Sequence, residues 1–274
     1  MHSTLTSSAC ATFVSTLALA AGCASAPTVP TAPVRPLALQ HTLRLESPAV
    51  AVCPDGQKLV VLEASGTRLL RLEPDLVRSE TIPLTRRLTA PRGLAADRFY
   101  FYVYDDRVLY RMSKEKLELK PWLANVRVSG LASFSPGEML VADEERGVIW
   151  YKTLFGDSRR FIDVSTVVDP GQVIALPDGM FCVLNGPRSM SWFNRAGIIT
   201  RTVAISSRPD FMAGNPQGDI FHLSRQTGRV RVFSKDTRAE YDLPGVSGPT
   251  SVAAFGNTIA VLDQDSRILT FRLP

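Results

Sequence analysis

From Ser47 onward, short apolar runs alternate with turn residues, and no stretch keeps the 3.6-residue period of an amphipathic helix. The runs form a repeating unit. A turn of small residues leads into a first strand with small side chains. A Pro/Asp/Gly turn then leads to a strongly apolar second strand that ends in an acidic, amide or hydroxyl residue. An Arg-containing turn opens a third, partly alternating strand. Copies begin near Ser47, Pro91, Val128, Pro170, Pro209 and Pro249, at intervals of 37 to 44 residues. The first strands read AVAV (49–52), GLAA (93–96), GLAS (130–133), QVIA (172–175), FMAG (211–214) and SVAA (251–254). The second strands read KLVVLE, FYFYVYD, EMLVAD, MFCVLN, DIFHLS and TIAVLD. β-Branched and aromatic residues in short runs bounded by turn residues predict strands.

Strand-rich units of this length predict propeller blades of four strands each. The sixth unit reaches Pro274 with only three strands, whereas LALQHTLRLE (37–46) precedes the first unit and has strand character. Pairing these two ends predicts an all-β, six-bladed β-propeller whose N-terminal strand closes the last blade and leaves no open edge.

Composition agrees with this pattern: 18 glycines and 19 prolines suit a chain of short strands and tight turns. The formal net charge is +5, with both signs interleaved, and no nucleic-acid recognition motif accompanies it. Nucleic acid is therefore not an expected partner. The four cysteines, Cys10, Cys23, Cys53 and Cys182, match no metal-binding spacing. With histidine only at positions 2, 41 and 222, no metal site and no cofactor are assigned.

The N-terminus carries a different signal. Residues 9–22 are uncharged, small and apolar, the length of a signal-peptide core and short for a membrane span. They end in Leu19-Ala20-Ala21-Gly22-Cys23, which resembles a bacterial lipobox. The resemblance implies a signal peptide at 1–22 and diacylglycerol attachment to the Cys23 sulfur. The alternative is an ordinary secretory signal cleaved near Ala24-Ser25-Ala26. Residues 23–36 then comprise the lipidated cysteine and a tether with four prolines between Ala26 and Pro36, extended and semi-rigid. Ala24 after the cysteine, rather than Asp, resembles the enterobacterial sorting pattern that implies the outer membrane, facing the periplasm. The propeller is expected over 37–274.

Pro91-Arg92-Gly93-Leu94-Ala95 and Leu140-Val141-Ala142-Asp143 resemble the NHL-type six-bladed repeat, and the resemblance extends over nearly the whole mature chain. It implies the architecture. Such families include scaffolds, ligand binders and a few enzymes, so it leaves the chemistry open.

One position recurs at the end of the second strands: Glu63, Asp105, Asp143, Asn185, Ser224 and Asp263. Recurrence in every blade favours side chains that cap the following turn over a metal site, which needs unlike residues in particular blades. An Arg follows in each unit, and local pairing with the nearby acid is the expectation. The channel mouth varies more. Aligned by their turns, the first strands place Pro48, Arg92, Ser129, Gly171, Asp210 and Thr250 at one level, and Ala49, Gly93, Gly130, Gln172, Phe211 and Ser251 at the next. Arg92 and Asp210 fall in blades two and five, opposite one another, and with Gln172 form the candidate ligand-binding set. Cys53 and Cys182 lie in opposite blades, too far apart for a disulfide, and His222 reads as a core histidine.

No catalytic residues are assigned, because no Ser-His-Asp set, phosphate loop or HExxH motif is present. The leading expectation is a cell-envelope lipoprotein. It meets the membrane through its lipid anchor, and its propeller binds a protein or a small polar ligand without catalysis. The alternative is a metal-dependent hydrolase resembling the lactonase-like propellers, which hold a metal with Glu, Asn and Asp in the central funnel.

Overall fold

A computed structural model describes residues 34–162, 169–234 and 238–273. The expected signal peptide, Cys23 and most of the tether lie outside the described residues. The rest is an all-β propeller of six blades, with the 3-10 turn Pro177–Gly179 its one helical element among the described residues.

Each blade is a four-stranded antiparallel meander. Blade one comprises Ala49–Asp55, Lys58–Glu63, Arg68–Leu72 and Arg78–Pro83, from the channel outward. The inner strands of the next blades are Gly93–Ala96, Val128–Ser135, Pro170–Ala175, Phe211–Gly214 and Pro249–Phe255.

The second strands are apolar on both faces because both faces are buried. Val60 and Leu62 point into the seam with blade two, while Leu59 and Val61 point into the seam with blade six. Phe101 and Val103 face blade one, and Tyr102 between them faces blade three. The same alternation continues around the ring and gives six apolar clusters, one per seam. A strand covered on both sides reads as a continuous apolar run.

Ring closure follows the expected route. Ala38–Arg44 pairs antiparallel with the third strand of blade six, Arg267–Arg272, from Ala38 opposite Arg272 to Arg44 opposite Arg267. Two flanking leucines fasten this strand. Leu37 is buried in the seam between blades five and six, and Leu45 in the seam between blades six and one. Within the stretch expected as tether, Arg35–Pro36 forms a further short strand, parallel to Arg238–Asp242 of blade five. The N-terminal segment thus bridges two blades.

Candidate functional site

The first turn of each inner strand carries the site, and its geometry comes from a local irregularity. In blades one, three, four and six the pairing between first and second strands slips at this point, leaving Val50, Ser129, Gly171 with Gln172, and Thr250 at the shift. A bulge adds a residue to one strand and re-aims its side chain. The strand pairing corrects the alignment of blade one. Val50 and Ala51, not Pro48 and Ala49, stand level with Arg92 and Gly93, because Ala51 pairs with Leu62 just as Ser251 pairs with Leu262.

Arg92, Gln172 and Asp210 line one cavity of about 220 Å³ at this end of the channel, together with Tyr104, Glu144 and Arg208. Each of the three also has a partner within the ring. The Arg92 guanidinium donates to Glu144 at 3.3 Å and lies 3.7 Å from Asp106. Glu144 is shared, since Arg127 approaches it at 2.6 Å. Asp210 Oδ2 accepts the Arg225 backbone N–H at 2.7 Å, which caps that turn. The Gln172 carbonyl oxygen accepts the Met212 N–H, and its amide reaches the Asp210 carbonyl at 3.5 Å.

Gln172 therefore clips blade four to blade five. Ser129 does the same between blades three and four by donating to the Gly171 carbonyl at 3.0 Å. Ser251 clips blade six to blade one, its hydroxyl accepting the Val52 N–H at 3.1 Å. Side chains here replace the backbone ladder that neighbouring inner strands lack. Close approach also explains a glycine: a Cβ on Gly130 would sit 2.5 Å from the Val173 nitrogen of the next blade.

Tyr104, Glu144, Arg127 and Arg208 were not singled out from sequence. Glu144 directly follows the recurring Asp143, and Arg208 directly precedes the turn proline of blade five, so both flank the repeat's markers. Burial pushes the Tyr104 phenol up to about 12, with Arg92 opposing that rise and Glu144 adding to it. Tyr104 consequently stays a neutral donor at the mouth.

Three of the four recurring acids cap turns, whereas Glu63 accepts from the Ser65 and Arg68 side chains and keeps its other oxygen buried without a hydrogen bond among the described residues. Asp105 accepts from Val108 N–H at 3.1 Å, Asp143 from Glu145 N–H at 3.2 Å, and Asp263 from Asp265 and Arg267 N–H at 3.0 Å. Three of the following arginines pair with their own blade's acid: Arg68 with Glu63 at 2.6 Å, Arg146 with Asp143 at 2.8 Å and Arg267 with Asp263 at 2.7 Å. Arg107 instead reaches Glu145 of the next blade, and Arg229 pairs with Asp242 on the outer strand. Among the described residues, no three His, Cys, Asp or Glu side chains converge as a metal-binding group.

Cys53 and Cys182 are buried free thiols, and burial raises both pKa values. His222 is buried, with Nε2 2.7 Å from the Met190 sulfur and its ring 4.5 Å from Phe233. Burial, reinforced by Arg231, lowers its pKa to about 3. It is a neutral core group.

No protein-family profile and no curated protein matches this sequence. Solved structures do. Virginiamycin B lyase from Staphylococcus aureus is 13% identical with a TM-score of 0.64, over 87% of this chain and 100% of that one. A streptogramin B lyase is 12% identical with a TM-score of 0.61, over 87% and 88%. A chain of the mitotic checkpoint complex is 12% identical with a TM-score of 0.63, over 96% and 99%. The likeness is one of fold. It joins lyases and a member of a protein assembly, so the shared propeller leaves the chemistry to the site.

Proposed function

We propose that this chain is a cell-envelope lipoprotein, anchored through Cys23 to the outer membrane and facing the periplasm, whose propeller is a non-catalytic binding module. The observation that carries the binding role is the mouth cavity. Arg92, Arg208, Glu144 and Asp210 present both charges there, beside the neutral donor Tyr104. A concave site with a few convergent polar groups is the default place for a ligand.

The same geometry argues against catalysis. A structural neighbour, virginiamycin B lyase from S. aureus, is catalytically inactive when one histidine is replaced by alanine. In this chain His222 is a buried core group, and His41 lies on the exposed outer strand of blade six. Three of the acids that a lactonase-like reading would use as metal ligands, Asp105, Asp143 and Asp263, already accept backbone N–H groups at turns. Export and anchoring rest on the Cys23 motif and the proline-rich tether.

A thermal-shift ligand screen on the parent, Arg92→Ala and Asp210→Asn tests the site. Arg92→Ala leaves Glu144 paired with Arg127, so the fold keeps its stability to within about 1 kcal/mol. Ligand affinity falls by about 1.5–3 kcal/mol if Arg92 makes a charged hydrogen bond. A ligand that stabilises all three proteins equally places the binding site elsewhere.

A further inference from the structure

Five blades fill one position alike, and blade five does not. Two residues before the recurring acid, Val61 pairs with Leu70, Val103 with Tyr110, Val141 with Trp150, Val183 with Ser191 and Val261 with Leu269. All five valines are buried in the seam with the preceding blade. In blade five the same register pairs His222 with Arg231. Residues opposite one another on antiparallel strands share a face, so Arg231 turns toward blade four with His222. Two residues on, Ser224 stands where four blades carry Asp or Glu. Neighbouring departures from a repeat's own packing rule mark a functional place.

A cavity of about 430 Å³ opens at these positions, and His222, Ser224 and Arg231 all line it. That volume falls within the roughly 300–1,000 Å³ of ligand pockets. Arg229 joins them from the same strand face, because Val230 between the two arginines is buried in the seam with blade six. Arg225 comes from the turn after the second strand and Arg208 from the connection out of blade four. Arg208, Pro209 and Asp210 separate this cavity from the mouth and line both.

Four guanidiniums and two carboxylates, Asp210 and Glu240, line the cavity, an excess of two positive charges. Glu240 lies 3.4 Å from Arg231. Asp169 and Asp242, which pair with Arg208 and Arg229, are about half exposed and lie outside the lining. Such exposed pairs are weak, and each occupies one nitrogen of its arginine. Arg225 has no carboxylate partner among the described residues. Its Nε donates to the Pro249 carbonyl at 3.3 Å, and its guanidinium lies over the Phe211 ring.

Guanidinium forks match phosphate oxygens in geometry. A phosphate monoester carries close to two negative charges near neutral pH, the excess found in this lining. Ser207, Gln226 and Thr227 add hydroxyl and amide groups, and no Phe, Tyr or Trp among the described residues lines the cavity. Those walls suit a hydroxylated body and offer no aromatic face on which a base could stack. We propose that the seam between blades four and five binds a sugar phosphate, with its phosphate on Arg225, Arg229 and Arg231 and its hydroxyls on Gln226 and Ser207. The site adjoins the mouth and requires no ligand there.

Isothermal titration calorimetry with inorganic phosphate, glucose and glucose 6-phosphate, on the full chain carrying Cys23→Ser, tests this. Glucose 6-phosphate binds more tightly than inorganic phosphate, and glucose shows no binding. Arg225→Ala weakens glucose 6-phosphate at least about tenfold. Arg225→Lys, which keeps the charge and loses the fork, weakens it by a smaller factor. Gln226→Ala weakens glucose 6-phosphate and spares inorganic phosphate. Ser224→Asp restores the acid of the repeat beside Arg229, so it abolishes binding without lowering Tm.

Absence of binding by either phosphate overturns the proposal. Equal affinity for the two overturns the sugar and leaves a phosphate site. Binding that survives Arg225→Ala and Ser224→Asp but is lost in Arg92→Ala places the anion in the mouth and overturns the seam site. Arg107 is an exposed arginine of blade two. An equal loss in Arg107→Ala reduces the binding to general charge attraction and overturns it as well.

Discussion

Replacing Leu37 or Leu39 by alanine separates ring closure from mere strand formation. The two leucines are neighbours on one segment, yet Leu37 is 5% exposed and Leu39 is 46% exposed. Leu37 packs in the seam between blades five and six, and its N–H donates to the Asp242 carbonyl at 3.0 Å. Truncation at Leu37 removes three buried carbons, about 2.4 kcal/mol at roughly 0.8 kcal/mol each. The residual cavity raises the expected loss to about 2–4 kcal/mol. At Leu39 the side chain already meets water, so the loss stays within about 0.5 kcal/mol. Urea unfolding, followed by far-ultraviolet circular dichroism and tryptophan fluorescence, measures both. For a domain of this size, about 3 kcal/mol corresponds to roughly 6–12 °C in Tm. Deleting residues 37–46 removes Leu45 as well and opens the edge of the strand Arg267–Arg272, so aggregation follows. Equal, small losses for the two alanine variants, or a deletion that melts like the parent, would refute closure by this segment.

Other outcomes follow from single residues. Gly130→Ala drives a Cβ against the backbone of the next blade. It lowers stability by several kcal/mol where an exposed Gly→Ala change does not, as chemical denaturation checks. Asp97 accepts the Phe99 and Tyr100 N–H groups at one oxygen, and the Tyr102 hydroxyl and the Gly137 N–H of blade three at the other. Asp97→Ala leaves these donors without their acceptor and costs about 2–4 kcal/mol in the same assay. Because the folded His222 pKa of about 3 lies below its ordinary 6.5, its contribution to stability is full above pH 6.5 and drains as pH falls toward 3. At Asp55, burial works to raise the pKa, but bonds and charge from Lys114 and Arg71 outweigh it and hold the carboxyl below its usual 3.8, which adds a second loss at lower pH. A His222→Phe variant flattens the upper part of the acid limb in pH-dependent unfolding; an unchanged limb refutes the assignment. Cys23→Ser abolishes radiolabelled palmitate incorporation and releases the chain from membranes, and a variant that stays membrane-bound contradicts the anchor.

Much of the architecture was legible in the residues because the signals are local. A second strand such as KLVVLE, buried on both faces, reads as a continuous apolar run wherever it lies, and the PDG and Arg-containing turns recur because every blade solves the same turn problem. The missing fourth strand of blade six was visible as a deficit at one end of the chain and a surplus at the other. Three features were decided by tertiary structure. The strand pairing moved blade one's alignment by two residues, since a slip of two keeps every side chain on its own face and leaves no mark on a run of small residues. Gln172 and Asp210 proved to have partners in the ring, because whether a polar side chain faces a ligand or a neighbouring strand depends on how closely two blades approach. The mouth's remaining charges, Glu144 and Arg208, come from loops whose separation in sequence hides the fact that one ring brings them to a common rim. Periodicity reports what each strand buries; only the closed ring decides what the strands enclose.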